Sequence, residues 1–300
     1  MCPCRRYLAL TVCTGLLLLA PSVAASQPLL PHAPGDGPPP HDADLWGTRN
    51  ESGPWVPSFR SVGQNALDIA RVPTALSEMD PRLVLSVTSG LVGTMATLDA
   101  PVHRRMSTPG SPAAAATGIF AAPGRWYDRV GPDRVSLGVA GALAVTGGVL
   151  RCPRLTRTAV HVVESVVYTK VVTGVAKGVI GRTRPFATSN PLAVDDLEEI
   201  ATAHRDLSMP SGHTSRAFAV ASVLSHELDR WYVSVPAYGV ATSVGLERIH
   251  SGDHWLTDVV VGAALGHLIG RVVADPPRSP DRVTYRPAVS PNHVGVTIRF

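Results

Sequence analysis

Three stretches of sixteen residues, Leu83–Leu98, Val135–Leu150 and Trp231–Leu246, carry no charged side chain. Two longer stretches, Thr158–Gly181 and His254–Ala274, repeat apolar residues at helical spacing. A chain with this much continuous apolar surface must bury it, and small and β-branched residues spread over so many positions fit helices better than strands. The expected fold class is all-α, a helical bundle. The uncharged runs stop short of the roughly 18 residues that mark a bilayer-spanning helix. Along 158–181, Lys170 and Lys177 share one face while His161 and Glu164 occupy another, an arrangement suited to a helix enclosed by protein. The sequence therefore favours an exported helical bundle over a polytopic membrane protein, with membrane contact left open.

Composition narrows the function classes. Charged residues make up 17% and apolar residues 45% of the 300 residues, too apolar for a disordered chain. The 27 Lys+Arg against 23 Asp+Glu leave a net charge of +4, spread thinly with no dense basic tract, so no nucleic-acid partner is expected. The length suits one sizeable core with appendages.

The appendages are legible as well. Arg5 and Arg6, the apolar run Tyr7–Ala20 and the small residues Val23-Ala24-Ala25 form a signal peptide over 1–25, which implies export to the periplasm or cell envelope. Residues 26–60 are rich in Pro, Gly, His and Asp and read as a disordered linker. The helical domain follows over 61–274, with Met106–Gly124 broken by prolines into loop or short helix. In the tail, 275–300, alternation through Val294, Val296, Ile298 and Phe300 predicts a short C-terminal β-hairpin. Cys2, Cys4 and Cys13 fall near the start, leaving Cys152 alone in the body, so no cysteine zinc site is available and no metal is expected.

Three clusters combine cations or histidines with a helix end. In Lys177–Pro185 the helix should stop at Gly181 or before Pro185, which lets Lys177 and Arg184 converge on one anion. Met209-Pro210-Ser211-Gly212-His213-Thr214 opens an apolar helix, and free N–H groups at Ser211, Gly212 and His213 form an anion nest. In Arg248–Asp258, Asp253 can cap the next helix, while His254 and Asp258 lie four residues apart on one face. A carboxylate bonded to one imidazole nitrogen fixes the tautomer and frees the other as a nucleophile. Three cations, a backbone nest and two histidines fit phosphoryl transfer, in which charge spreads over three equatorial oxygens and an acid protonates the leaving oxygen.

The segments Lys177–Pro185, Pro210–His213 and Arg248–Asp258 resemble the signature K-x6-R-P, P-S-G-H and S-R-x5-H-x3-D of the type 2 phosphatidic acid phosphatase and vanadium haloperoxidase superfamily. The resemblance implies a metal-independent phosphatase acting on phosphomonoesters or diphosphates, lipid phosphates among them, without a cofactor. It implies His254 as the nucleophile that becomes phosphohistidine, Asp258 as its orienting group and His213 as the acid. It assigns Lys177, Arg184, Arg248 and the backbone of Ser211 and Gly212 to the phosphoryl oxygens. A vanadate-dependent haloperoxidase and a catalytically silent envelope-binding protein are the alternatives.

One departure stands out: Glu247 replaces the signature serine and is expected to point away from the phosphate. His103-Arg104-Arg105 and the arginines at 151, 154 and 157 read as solvated loops. His161, His204, His226, His250 and His267 are expected to be structural, and the acidic run Asp195, Asp196, Glu198 and Glu199 to be an exposed loop.

Overall fold

The computed structural model describes residues 65–67, 69, 80–195, 207–274, 284–290 and 293–299. The signal peptide and linker expected over 1–25 and 26–60 lie outside them, as do Asp196, Glu198, Glu199 and His204.

Prolines and caps set where the helices start. Helix α1, Pro81–Thr94, begins on a proline with the Asp80 carboxylate accepting from the Arg82 N–H at 2.8 Å. Proline also leads α3, Pro112–Gly118, α5, Pro132–Val149, and α6, Pro153–Ile180, at a position where its fixed φ is already helical and its missing N–H costs nothing. Helices α2, Ala100–Ser107, and α4, Ala122–Val130, carry proline one residue later. The expectation of loop or short helix between Met106 and Gly124 resolves into α3 and the start of α4. Helix α6 stops where the sequence places its end: Gly181 takes a left-handed conformation, φ +65°, and donates to the Lys177 carbonyl at 2.9 Å. Helices α7, Gly212–Leu228, α8, Trp231–His250, and α9, Leu256–Ala274, complete the bundle.

Helix α7 is the central element, packed against α6, α8 and α9, while α5 lies on α6 and α4 on α8. Its contact with α9 is the closest. Gly262, Gly266 and Gly270 fall on one stripe of α9, and a Cβ on Gly262 would lie 2.7 Å from the Ser211 carbonyl oxygen, on Gly270 2.5 Å from that of Ala219. On Gly266 it would overlap the carbonyl of Ser215. Small residues thus let two backbones touch, and the contact locks the start of α7 beside the start of α9. At the opposite end of the bundle Glu227 is buried between His161 Nδ1, at 2.7 Å, and Arg157 Nη2, at 3.0 Å. His161 is structural, as expected, but through an ion-pair partner on another helix.

Three helical stretches are long and apolar enough to cross a membrane: Pro81–Ser107, Pro153–Ile180 and Leu256–Ala274. Val163, Val167, Val171, Val175 and Val179 form an outward stripe along α6, from 39% to 80% exposed. Both features suit association with a membrane. The first uncharged run seemed short because Asp99 interrupts it, yet Asp99 is fully buried and faces inward, so the helix continues through a π-helical turn, Met95–Asp99, into α2. His103, Arg104 and Arg105 accordingly lie on a helix, not a loop.

In the tail, strand β1, Thr284–Ser290, pairs antiparallel with β2, His293–Arg299, with Ser290 opposite His293.

Gly266→Ala should lower stability by about 1–3 kcal/mol, the usual effect of overpacking a tight contact, read as a reduced thermal midpoint of the detergent-solubilised protein. An unchanged midpoint would contradict the close α7–α9 contact.

Candidate active site

The site is assembled on a buried ionic network. Arg182, one residue past the α6 cap and 1% exposed, directs Nη1 to Asp258 Oδ1 at 2.5 Å and to Thr257 Oγ1 at 2.7 Å, and Nη2 to Asp99 Oδ2 at 2.6 Å. Its Nε and Nη2 also donate to the Pro191 carbonyl. Asp99 in turn accepts from the Thr257 N–H at 2.9 Å and from the Thr257 hydroxyl. A charge in such surroundings is tolerated only when paired and hydrogen-bonded, and here one guanidinium neutralises two carboxylates. The network ties the π-turn after α1, the segment after α6 and the first turn of α9 to one point.

Asp258 also binds toward the reaction side. Its Oδ2 accepts from the Ser208 hydroxyl and from the Trp255 N–H at 2.8 Å. His254 Nδ1 lies 3.6 Å from the same oxygen and 3.5 Å from Ser208 Oγ. The simple His254–Asp258 pair expected from the spacing is therefore a shared arrangement in which Ser208 stands beside both. The ring is 2% exposed, its backbone N–H is bonded to the Arg248 carbonyl at 3.1 Å, and Nδ1 faces the carboxylate, which leaves Nε2 for chemistry. Burial lowers the His254 pKa to about 4, against the opposing pull of Asp258.

The cations gather around this ring. Arg248 Nη1 pairs with Asp253 Oδ2 at 3.1 Å, and Arg184 Nη1 lies 3.6 Å from Asp253 Oδ1. Arg184 Nε is buried with no hydrogen-bond partner. Lys177 reaches in from the last turn of α6, its ammonium bonded to the Leu207 carbonyl, and its charge acts on His254 together with that of Arg184. Asp253 was expected to cap α9; instead it bridges two of the cations and accepts from Ser251 Oγ at 2.6 Å.

The helix nest is smaller than the sequence suggests. The Ser211 N–H donates to the Asp258 carbonyl at 3.0 Å, and the Ser211 hydroxyl pairs with Thr214. The Ser211 N–H thus joins the start of α7 to α9 within the fold. The first N–H groups of α7, at Gly212 and His213, lie in positions that have no acceptor within the helix. A Cβ at Gly212 would meet only Thr173 Oγ1 at 3.9 Å and Arg216 Nη2 at 4.0 Å, both ordinary contacts. His213 Nε2 is 3.2 Å from Asp128 Oδ1, and burial, then the charges of Arg248 and Arg216, lowers its pKa to about 3.

Glu247 faces away, as its charge requires. Its carboxylate lies 3.7 Å from Arg125 Nη1 against α4, and burial raises its pKa. His103 stacks edge-on against Trp255 at 5.4 Å, while His250 pairs with Thr117 at 2.6 Å and His267 with Tyr238 at 2.7 Å.

All eight residues singled out from the sequence lie in this region: His254, His213, Asp258, Lys177, Arg184, Arg248, Ser211 and Gly212. Sequence reasoning missed Arg182, Asp99, Ser208 and Asp128. Asp99 carried one signal, an ionisable residue directly after an apolar run, which in such a helix marks a function or a buried partner.

Residues 158–275 match the model of the PAP2 superfamily, and this segment, which holds all three motifs, belongs to that superfamily. A lipid A 1-phosphatase of Porphyromonas gingivalis is 46% identical over 68 residues, 22% of this chain and 15% of the relative. The chain thus spans under a sixth of that relative's length. Among solved structures, LpxE of Aquifex aeolicus is 24% identical with a TM-score of 0.40, covering 59% of this chain and 94% of that one. A transmembrane PAP2-type phosphatidylglycerolphosphate phosphatase from Bacillus subtilis is 19% identical with a TM-score of 0.28, over 72% and 94%.

Asp99→Ala should destabilise the protein by about 3–5 kcal/mol, because it strands part of the buried Arg182 charge, with a matching fall in the thermal midpoint. A loss below about 1 kcal/mol, the range of an exposed pair, would contradict the buried network.

Proposed function

We propose that the chain is a membrane-associated phosphatase of the cell envelope that hydrolyses phosphomonoesters or diphosphates of lipids through a phosphohistidine on His254. The observation that carries this reading is the convergence of Lys177, Arg184 and Arg248 beside a buried imidazole whose Nδ1 is held by Asp258 and Ser208. Such an array stabilises a trigonal-bipyramidal phosphorus with charge on its equatorial oxygens. The buried, unpaired Arg184 Nε is a donor awaiting an acceptor.

The steps follow from these positions. His254 Nε2 attacks phosphorus, the ester P–O bond breaks, and the leaving oxygen takes a proton from His213. Water, deprotonated by His213, then attacks the phosphohistidine, the P–N bond breaks, and inorganic phosphate departs. Asp258 and Ser208 hold the ring so that Nε2 stays unprotonated before attack.

A lipid substrate is supported by three features: the span-length apolar helices, the substrates in the names of the relatives, and an apolar cavity of about 380 Å³ between α4, α5, α7 and α8. Trp126, Tyr127, Leu143, Ala217, Leu224 and Ala241 line it, and it follows α7 from next to Arg216 towards Leu228, about 16 Å at 1.5 Å per residue. Its walls are almost wholly apolar and suit an acyl chain. Export of the site follows from the signal peptide read in the sequence.

His254→Ala should reduce hydrolysis of an aryl phosphate by at least about 10³-fold while the fold persists, since the nucleophile is lost. Turnover near wild type would sink the mechanism. Activity should survive a chelator and be inhibited by vanadate; loss in chelator restored by a divalent ion would contradict the reading. The pH profile carries a sign. Attack needs neutral His254, whose pKa is lowered to about 4, so the acid limb of kcat/KM should lie near pH 4, while the alkaline limb is set by loss of the proton that His213 must donate. An acid limb near the ordinary histidine value of about 6.5 would contradict it.

A further inference from the structure

Asp128 lies outside the three motifs and outside the matched segment, on α4, yet it touches two members of the site. Its Oδ1 is 3.2 Å from His213 Nε2 and its Oδ2 is 2.8 Å from Arg248 Nη2. The contact is built into the fold. The Gly124 N–H donates to Ser243 Oγ on α8 at 2.7 Å, the same glycine leaves no room for a Cβ against the Ser243 carbonyl, and Tyr127 is 4% exposed. Helix α4 is thereby pinned to α8 one turn from the carboxylate. Asp128 itself is 39% exposed, whereas Arg248 is 7% exposed, so the carboxylate borders the open side of the site and its cationic partner the closed side.

We propose that Asp128 is a specificity-determining residue on the leaving-group side of the site: it occupies the anion positions of His213 and Arg248 before substrate binds and selects against a leaving group that is itself anionic. The inference rests on the reading of the site as a phosphatase with His213 as acid. A leaving oxygen that receives its proton from His213 must come to the place where Asp128 now lies. A phosphomonoester of an alcohol brings a neutral group there, with hydroxyls able to donate to the carboxylate. A diphosphate brings a second phosphate, and like charges at such distances in a half-buried site discriminate strongly. Asp253 bridges Arg248 and Arg184 in a comparable way, but it makes no contact with the acid, so it does not report on the leaving group.

The test compares the full detergent-solubilised chain with Asp128→Asn, which keeps size and one acceptor, and Asp128→Glu, which keeps charge. Calorimetry reads the binding of inorganic phosphate; kinetics read kcat/KM for an aryl monophosphate and for a short-chain alkyl diphosphate. Asp128→Asn should bind phosphate about tenfold more tightly and raise the diphosphate-to-monophosphate ratio about tenfold, while Asp128→Glu should keep the ratio near wild type. Unchanged or weaker phosphate binding in Asp128→Asn would overturn the proposal. So would an equal fall in kcat for both substrates, which would make Asp128 merely a support for His213. If wild type hydrolyses neither substrate, the phosphatase reading fails, while the phosphate-binding arm still decides whether Asp128 competes for the anion site.

Discussion

The guanidinium of Arg182 carries the architecture of the site. It neutralises Asp99 and Asp258 together, and these carboxylates come from helices far apart in sequence. With Asp258 fixed, the first turn of α9 is fixed, and with it the His254 ring and the Ser211 clasp on α7. The cations Lys177 and Arg184 then need only short segments to reach the ring, since they lie on either side of the Gly181 stop. Placing three ions in a dry interior is costly unless every donor and acceptor is met, and here most of the Arg182 donors have acceptors. That cost is consistent with a network maintained for position more than for stability.

The helix packing serves the same end. The glycine stripe of α9 brings its backbone onto α7, which sets the PSGH turn against the His254 turn within hydrogen-bonding distance. Larger residues would separate the start of α7 from His254. The apolar cavity beside α4 follows from the opposite choice: open space lies along that flank of α7, lined by alanines at 217 and 221. Close contact on one flank of α7 thus goes with open apolar space on the other.

Much of this was legible in the sequence because it depends on local spacing. The end of α6 at Gly181, the start of α7 at Gly212 and the roles open to Lys177, Arg184, Arg248 and His254 all follow from residues within a few positions of one another. The parts that were not legible depend on contacts between distant segments. Asp99 and Asp258 are 159 positions apart, and nothing local distinguishes Arg182 from its neighbour Arg184. The Ser211 N–H begins a helix, and only the packing of α9 shows that the Asp258 carbonyl takes it. The membrane question turned on the same point: counting uncharged residues treated Asp99 as a break, whereas its burial lets an apolar helix continue past it.

The central claim is that His254 is the covalent nucleophile, and chemical trapping tests it most directly. The enzyme is mixed with a phosphate-labelled substrate, quenched in alkali within the first turnovers, and digested for peptide mass spectrometry. The account predicts an alkali-stable, acid-labile phosphoryl group on the peptide containing His254, absent in His254→Ala. A phosphoryl group on a serine or aspartate peptide, or turnover with no phosphoenzyme on any time scale sampled and with His254→Ala equally active, would contradict it.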